Sequence, residues 1–253
     1  MKKSIPIHTQ SDFQSMRKAG ALASAVLDFI APLVKEGVTT NALNDLCHTF
    51  ICDHGAVPAP LNYKGFPKSI CTSVNHVVCH GIPDNYALRP GDIINIDVTV
   101  IVEGWHGDTS RMFYVPPLSP YARRLIDVTQ ECLDRALAVV KPGATLGDVG
   151  HAIQSHAESQ GFSVVRDFCG HGIGRVFHDD PEVLHWGKPG QGLVLKEGYF
   201  LTIEPMINGG APDIKILKDG WTAVTRDGRL SAQFEHSIGV TSDGVDVFTR
   251  AQS

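Results

Sequence analysis

Apolar positions in the first part of the chain recur with the period of amphipathic helices. A long run from about Phe13 to Val34 predicts the first helix, and Ser11 and Gln14 fit a capping box at its start. We expect a second helix to begin at Thr39 or the residue after it and to stop at Gly55, because glycine readily adopts the conformation that ends helices. The apolar side chains of this second helix share one face: Leu43, Leu46, Cys47, Phe50 and Ile51.

A different pattern begins at Asp92. The run from Asp92 to Val102 is dense in β-branched residues, which predicts a strand. The carboxylate of Asp97 interrupts this apolar run, and Asp108 follows eleven residues later. That separation suits a β-hairpin that turns around Glu103 and Gly104 and brings the two carboxylates onto neighbouring strands.

The order of the predicted elements repeats along the chain. The pattern K-x-G-[VA]-T occurs from Lys35 and again 106 residues later from Lys141, each time between a long helix and a shorter one. The segment from Leu88 to Asp97 matches the segment from Leu195 to Glu204 at an offset of 107 residues. Two agreements at nearly one offset predict two structurally similar halves of about 110 residues each. The alternative is a chance similarity between turn-rich segments.

This repeat superposes Asp97 on Glu204, and each of these residues interrupts an apolar strand. A buried carboxylate is costly unless it is paired or binds a metal ion. Two such carboxylates on symmetry-related strands would converge where the halves meet, and clefts commonly form at such an interface. We therefore expect a site between the halves.

Composition narrows the classes of function that the chain could have. The chain has 253 residues, 43% of them hydrophobic, and a formal net charge of −5, which together argue against intrinsic disorder. The net negative charge also argues against nucleic acid or an anionic membrane as the main partner, because both favour a basic surface. The 12 histidines and 27 carboxylates supply nitrogen and oxygen ligands for divalent metal ions.

The sequence also indicates a compartment. No segment reaches the roughly 18 uninterrupted apolar residues that a membrane-spanning helix needs. Lys2 and Lys3 are not followed by an apolar stretch, so a secretory signal is not expected. The six cysteines form no CxxC pair, which predicts reduced thiols in a cytoplasmic protein and disfavours a four-cysteine zinc site.

Five residues of metal-ligand type lie in unusual contexts: Asp97, Asp108, His171, Glu204 and Glu235. Taken singly, a carboxylate in a strand is more often a salt-bridge partner or an edge residue, and a histidine between glycines often belongs to a tight turn. Taken together, four carboxylates and one imidazole form an oxygen-rich set that suits two divalent ions sharing bridging carboxylates. One catalytic zinc ion would usually take only three protein ligands.

The motifs around these residues resemble those of the type I methionine aminopeptidases of bacteria, from about Ser11 to Val247. The resemblance rests on the stretch from Phe168 to Trp186 and on five shorter motifs: Cys79-His-Gly-Ile-Pro-Asp84, Asn95-Ile-Asp-Val98, Gly107-Asp-Thr109, Ile203-Glu-Pro-Met206 and Glu235-His236. It implies the α/β (α+β) pita-bread fold, in which two pseudosymmetric halves, with an antiparallel sheet covered by helices, surround a dinuclear metal site. The halves would cover about residues 11–115 and 118–248 of a single catalytic domain, after an N-terminal arm of residues 1–10.

By this resemblance the metal ligands are Asp97, Asp108, His171, Glu204 and Glu235, with Asp108 and Glu235 as the bridging pair. Two divalent ions (Co²⁺, Mn²⁺, Fe²⁺ or Zn²⁺) would lower the pKa of a shared water, and the bridging hydroxide would attack the scissile carbonyl. Glu204 would also shuttle the proton. His80 and His178 would hydrogen-bond the scissile amide and the developing oxyanion. Without the other motifs, His80 would be interpreted as an ordinary turn histidine.

The resemblance also implies a pocket for the methionine side chain, formed by Tyr63, Phe66, Cys71, Phe177 and Trp221. Aromatic and sulfur contacts suit a flexible thioether, although ordinary core packing explains each of these residues equally well from the sequence alone. One position departs from the family, since Pro60 stands where its members often carry a cysteine. That difference bears on the rim of the pocket and not on the metal site.

Most of the remaining histidines have no partner at a ligand spacing. Six of them are expected at the surface or against the metal ligands: His48, His54, His151, His156, His185 and His236. Of these, His236 is the best candidate for contact with a ligand, because it directly follows Glu235.

The function that the resemblance implies is that of a cytoplasmic aminopeptidase, which removes the initiator methionine of nascent polypeptides, mainly before a small second residue. Its partners would be nascent N-termini at the ribosome, with no nucleic-acid specificity and no membrane attachment, and it would be a monomer. An Xaa-Pro peptidase of the same fold would share the five ligands but normally carries an additional N-terminal domain. A catalytically silent binding module usually lacks metal ligands, and a metal-storage protein leaves His80 and His178 unexplained.

Overall fold

The computed structural model describes residues 4–250, so residues 1–3 of the predicted N-terminal arm lie outside the described range. Four α-helices occur in two pairs along this range: α1 Gln10–Ile30, α2 Thr40–Asp53, α3 Pro120–Val139 and α4 Leu146–Ser159. Two short 3-10 helices span Ala31–Leu33 and Tyr63–Gly65. The strands of the described range are β1 Val57–Pro58, β2 Cys71–Val74, β3 Val77–Cys79, β4 Ile93–Val102, β5 Trp105–Tyr114, β6 Ser163–Val164, β7 Gly170–Gly172, β8 Asp179–Val183, β9 Phe200–Ile203, β10 Met206–Asn208, β11 Ile214–Ile216, β12 Ala223–Thr225, β13 Ser231–Gln233, β14 Glu235–Val240 and β15 Val245–Val247.

The first helix begins earlier than its sequence pattern predicts, and the capping box expected at Ser11 is wrong. Thr9 precedes the helix: its hydroxyl accepts from the backbone N–H of Asp12 at 3.4 Å, and the Asp12 carboxylate accepts from the backbone N–H of Thr9 at 2.8 Å. Aspartate thus takes the part that glutamate or glutamine plays in the usual motif, and Ser11 lies inside the helix. The α-helix ends at Ile30, because Pro32 has no N–H with which to continue it.

The central sheet is antiparallel. Its main path follows the order β1-β4-β5-β14-β9-β7-β8, and in addition β2 pairs with β4 and β15 pairs with β14. Strands β4 and β5 form the predicted hairpin, in register up to the pair Val102↔Trp105. Glu103 and Gly104 make its turn with positive φ angles of 50° and 79°. Two three-stranded sheets, β13-β10-β6 and β11-β12-β3, complete the β-structure of the described residues.

The sequence repeat corresponds to a repeat of backbone hydrogen bonds. In the first half Gly37 N donates to Leu88 O at 2.8 Å, and in the second half Gly143 N donates to Leu195 O at 3.0 Å. The isolated bridges obey the same relation: Thr39↔Ala87 and Thr145↔Val194. In each half, the segment that precedes the shorter helix is therefore bonded to the segment that precedes a sheet strand. Chance similarity between turn-rich segments does not produce such matched bonding, so the pseudosymmetric architecture is present in the structure.

Each helix pair covers one part of the sheet. Leu27 of α1 and Ile51 of α2 belong to one buried cluster together with Ile96 of β4. Leu133 of α3 and Ile203 of β9 belong to a second cluster, which also includes residues of α4. Because successive strand side chains point to opposite faces, the residues that alternate with these apolar positions lie on the face away from the helices.

Among residues 4–250, no helix is both long and apolar enough to cross a membrane.

Candidate metal centre

The structure brings all five predicted ligands to one cavity of about 330 Å³. Asp97 lies on β4, Asp108 on β5, His171 on β7 and Glu235 on β14, while Glu204 directly follows β9. Their shared face follows from the pleat: the apolar neighbours of the strand residues pack on the helices, so the carboxylates point the other way. The strand register brings two of the ligands to the same level of the sheet. Asp97 of β4 and Glu235 of β14 both pair with Ser110 of β5, which lies between them.

The ligand atoms are close enough to share metal ions. One ligand atom each from Asp108, His171 and Glu235 lie within 4.8 Å of one another. His171 Nε2 is 3.6 Å from Asp108 Oδ2 and 3.7 Å from Glu204 Oε1. The Nδ1 atom of His171 lies 3.0 Å from the Gly172 carbonyl, which can only accept a hydrogen bond, so Nδ1 carries the proton. The lone pair of Nε2 is therefore free and faces the carboxylates.

Electrostatics at this cluster favour a bound cation. Burial raises the pKa of Asp97 to about 7 and that of Glu204 to about 8. Burial and repulsion from neighbouring carboxylates raise the pKa values of Asp108 and Glu235 well above their usual range. Within residues 4–250, no lysine or arginine forms an ion pair with any of the four, and the buried Asp97 Oδ1 has no hydrogen-bond partner. Divalent metal ions would supply the missing positive charge, so the donor set fits them.

Polar residues that the sequence analysis did not select support these ligands. Thr99 donates to Asp108 Oδ1 at 2.7 Å, and Thr202 donates to Glu204 Oε1 at 2.8 Å. Gln233 Nε2 donates to Glu204 Oε2 at 3.3 Å. A signal for the threonines was present, because each lies two residues from a predicted ligand in extended chain, Thr99 after Asp97 and Thr202 before Glu204, and therefore on the same face.

The two histidines expected to contact the substrate line the same cavity as the ligands. His178 Nδ1 lies 3.0 Å from the Tyr63 hydroxyl, and the two rings stack with centroids 5.2 Å apart. His80 is nearly perpendicular to the ring of Phe168 at a centroid distance of 5.3 Å. Burial lowers the pKa of His80, and burial together with the nearby His171 lowers the pKa of His178 to about 3.

The expected pocket residues also meet around this cavity, which all five of them line: Tyr63, Phe66, Cys71, Phe177 and Trp221. Phe66 packs edge-on against Trp221 at 5.2 Å, and Tyr63 contacts Phe177 at 4.8 Å between ring centroids. Pro60, the position that departs from the family, lies in the lining as well. Further lining residues lie inside the motifs quoted above but were not expected in the pocket: Cys79, Phe168, Cys169 and Met206.

The other histidines serve different purposes. His185 is fully buried, and its Nε2 accepts the backbone N–H of Glu204 at 3.2 Å, so it supports a predicted ligand through the main chain. His236 lies beside Glu235, but alternation turns it to the opposite face, where Nδ1 hydrogen-bonds the Thr249 hydroxyl at 2.8 Å. His156 contacts Glu131 at 2.6 Å, between helices α4 and α3.

Comparison with known proteins gives close relatives over nearly the whole chain. A methionine aminopeptidase of Rickettsia prowazekii is 63% identical over 246 residues, which cover 97% of this chain and 95% of the relative. The crystal structure of a methionine aminopeptidase from that organism superposes with a TM-score of 0.97 at 62% identity, covering 98% of this chain and all of that one. A methionine aminopeptidase from Thermotoga maritima superposes with a TM-score of 0.96 at 38% identity, covering 98% of this chain and 100% of that chain.

More distant structures share the fold alone. An Xaa-Pro dipeptidase from Bacillus anthracis superposes with a TM-score of 0.77 at 20% identity, covering 98% of this chain but only 62% of its own. The pita-bread arrangement predicted from the motifs is thereby confirmed. Residues 14–242 match the metallopeptidase family M24. The chain therefore belongs to metallopeptidase family M24.

Proposed function

We propose that this chain is a metal-dependent aminopeptidase that removes methionine from the N-termini of newly made proteins. The observation that carries the proposal is the cluster of four carboxylates, two buried and two partly exposed, and one imidazole around a single cavity. Among residues 4–250 no lysine or arginine pairs with these carboxylates. The names of the close relatives supply the reaction class and the substrate residue.

The proposal assigns the metal ligands residue by residue. Asp97, Asp108, His171, Glu204 and Glu235 would hold two divalent ions, with Asp108 and Glu235 shared between them. Support comes from the close approach of Asp108, His171 and Glu235 donor atoms. When bound, such ions supply a Lewis acid and a water of lowered pKa, which makes amide hydrolysis possible near neutral pH. Co²⁺, Mn²⁺, Fe²⁺ and Zn²⁺ all suit a mixed oxygen and nitrogen donor set.

The remaining chemistry belongs to side chains at the cavity wall. Glu204 would carry a proton from the attacking water to the leaving amine, because its carboxylate lines the cavity beside the other predicted ligands. Neutral imidazoles at His80 and His178 can donate a hydrogen bond to the substrate amide or to its developing oxyanion. The lowered pKa values of both histidines favour the neutral form.

The shape and lining of the cavity support methionine as the residue removed. Phe66, Phe177 and Trp221 give an apolar, aromatic wall, and Cys71 adds a buried sulfur atom. A flexible thioether packs well against aromatic rings and sulfur. We also propose a preference for a small second residue.

Hydrolysis of short peptides tests this function. Metal-free protein is assayed with Met-Ala-Ser, Met-Leu-Ser and an Xaa-Pro peptide before and after addition of each divalent ion. Rapid metal-dependent cleavage of Met-Ala-Ser, slower cleavage of Met-Leu-Ser and no cleavage of the Xaa-Pro peptide are expected. Cleavage of the Xaa-Pro peptide alone would instead assign the chain to the proline-specific peptidases, whose structures share this fold.

A substitution tests the role of Glu204 in the same assay. Glu204→Gln keeps the shape of the side chain but cannot take up a proton, so activity should be lost while the fold persists. Glu197→Gln is a matched control at an exposed position and should retain full activity. Substantial turnover by Glu204→Gln would contradict the proposed proton transfer.

We further propose that the protein acts in the cytoplasm as a monomer on nascent chains near the ribosome, without specific nucleic-acid binding. All six cysteines, each within residues 4–250, are free, which suits a reducing compartment. The single catalytic domain would span residues 11–248. Fractionation and a sedimentation measurement of the purified protein test the compartment and the oligomeric state.

A further inference from the structure

We propose that Thr202 is a positioning residue that holds His171 and Glu204 in one fixed geometry for metal binding. The inference rests on the metal site of the proposed function. It adds to that site a residue that is not one of the five proposed ligands. Thr202 lies on β9, two residues before Glu204, so both side chains point to the same face of the sheet. It is fully buried.

The direction of each hydrogen bond at Thr202 follows from the groups involved. The backbone N–H of His171 can only donate, so the Thr202 hydroxyl accepts from it at 2.9 Å. The single hydroxyl proton is then given to Glu204 Oε1 at 2.8 Å. One hydroxyl thus joins the main chain of one predicted ligand to the carboxylate of another, across two neighbouring strands.

The atoms that Thr202 holds are those that face each other across the site. Glu204 Oε1, which accepts the Thr202 proton, is also the oxygen that lies 3.7 Å from His171 Nε2. The other carboxylate oxygen accepts from Gln233 at 3.3 Å, and the His171 ring is oriented by its bond to the Gly172 carbonyl. Neutral hydrogen-bonding groups therefore set the orientation of both ligands without a metal ion, which reduces the cost of ordering them on binding.

The close approach of the two strands depends on a glycine. A Cβ atom at Gly170 would lie 2.4 Å from the Thr202 carbonyl oxygen and 3.1 Å from its hydroxyl. Any larger residue at Gly170 would therefore separate β7 from β9 and lengthen the bond between His171 and Thr202. This gives the glycine before His171 a specific purpose in the site.

Metal titration of three variants tests the inference. Thr202→Val keeps the branched shape but removes the hydroxyl, and it should weaken binding of Mn²⁺ to the metal-free protein by about 10- to 100-fold in calorimetry. Thr202→Ser restores the hydroxyl and should bind within a few-fold of the unmodified protein. Thr129→Val is the matched control: Thr129 is equally buried, but its hydroxyl bonds the Leu125 carbonyl within α3, so Mn²⁺ affinity should not change.

The outcomes separate this inference from the proposed function. If the unmodified protein binds no divalent ion, the metal site itself is wrong. If it binds Mn²⁺ and Thr202→Val binds equally well, or if Thr202→Ser is as weak as Thr202→Val, only the role of Thr202 is overturned. Circular dichroism of each metal-free variant shows whether it is folded, and Thr202→Ala removes the same hydroxyl without burying an extra methyl group should Thr202→Val fail to fold.

Discussion

Replacing Glu204 with glutamine should stabilise the metal-free protein, and more so at high pH than at low pH. Burial raises the pKa of this carboxyl from 4.5 to about 8, so the folded state holds its proton more tightly than the unfolded state. The stability contributed by that proton is fully present below pH 4.5 and is lost as the pH rises toward 8. A glutamine at this position carries no charge at any pH, so the variant does not lose this stability as the pH rises.

The size of the effect follows from the two pKa values. At 1.36 kcal/mol per pKa unit, ionisation of Glu204 lowers the free energy of unfolding by about 4 kcal/mol at pH 8 and by about 1 kcal/mol at pH 5. The variant should therefore gain about 3 kcal/mol in its free energy of unfolding between pH 5 and pH 8, relative to the unmodified protein. This is an upper limit, because the four carboxylates titrate together and protonation of one relieves the others.

Urea unfolding in the presence of EDTA measures this difference. Both proteins are unfolded at pH 5 and at pH 8, with Glu197→Gln as the exposed control, for which no pH-dependent gain is expected. An equal effect of Glu204→Gln at both pH values, or a loss of stability at pH 8, would refute the conclusion that Glu204 is buried as an uncompensated charge. Thr202 can still donate a hydrogen bond to the amide oxygen of the glutamine.

Three further predictions concern separate parts of the molecule. Mn²⁺ at 100 times its dissociation constant should raise the free energy of unfolding of the metal-free protein by about 2.7 kcal/mol. If Mn²⁺ leaves the free energy of unfolding of protein stripped of metal with EDTA unchanged, the native state has no such site. Tyr63→Phe keeps the ring but loses the hydroxyl bonded to His178, so kcat for Met-Ala-Ser should fall about five- to tenfold with KM little changed; an effect confined to KM would point to pocket packing instead. Thr9→Ala removes the cap of α1 and should cost about 1 kcal/mol in urea unfolding, whereas Ser11→Ala should cost much less; the reverse order would restore the original capping assignment.

Much of the architecture was readable from local patterns. Helix α2 starts where Thr39 caps it, and the hairpin turns at Glu103 and Gly104 as predicted. Such features depend on neighbours a few residues away, so periodicity and turn chemistry suffice to find them. The start of α1 was missed because Thr9 and Asp12 offer the same spacing as Ser11 and Gln14, with an aspartate where the usual motif has glutamate or glutamine.

The candidate site was only partly readable in this way. The repeat relates Asp97 to Glu204, and the motifs around the other three ligands predicted their identity through resemblance to a family. Nothing along the chain, however, indicates that His185 accepts the main-chain N–H of Glu204. The contact connects the segment after β8 to the end of β9. In the sheet β7 lies between these two strands, and the sequence does not indicate that order.

The sequence by itself thus determined the elements, their twofold repetition and the residue types able to bind a metal. Only the tertiary structure decided which donor atoms meet, that no described lysine or arginine pairs with the four carboxylates, and that Thr202 links His171 to Glu204. The physical reason is one of range. Alternation along a strand is a property of adjacent peptide units, whereas the 2.9 Å hydrogen bond from the His171 N–H to the Thr202 hydroxyl, or a raised pKa, depends on packing between segments that lie far apart in the chain.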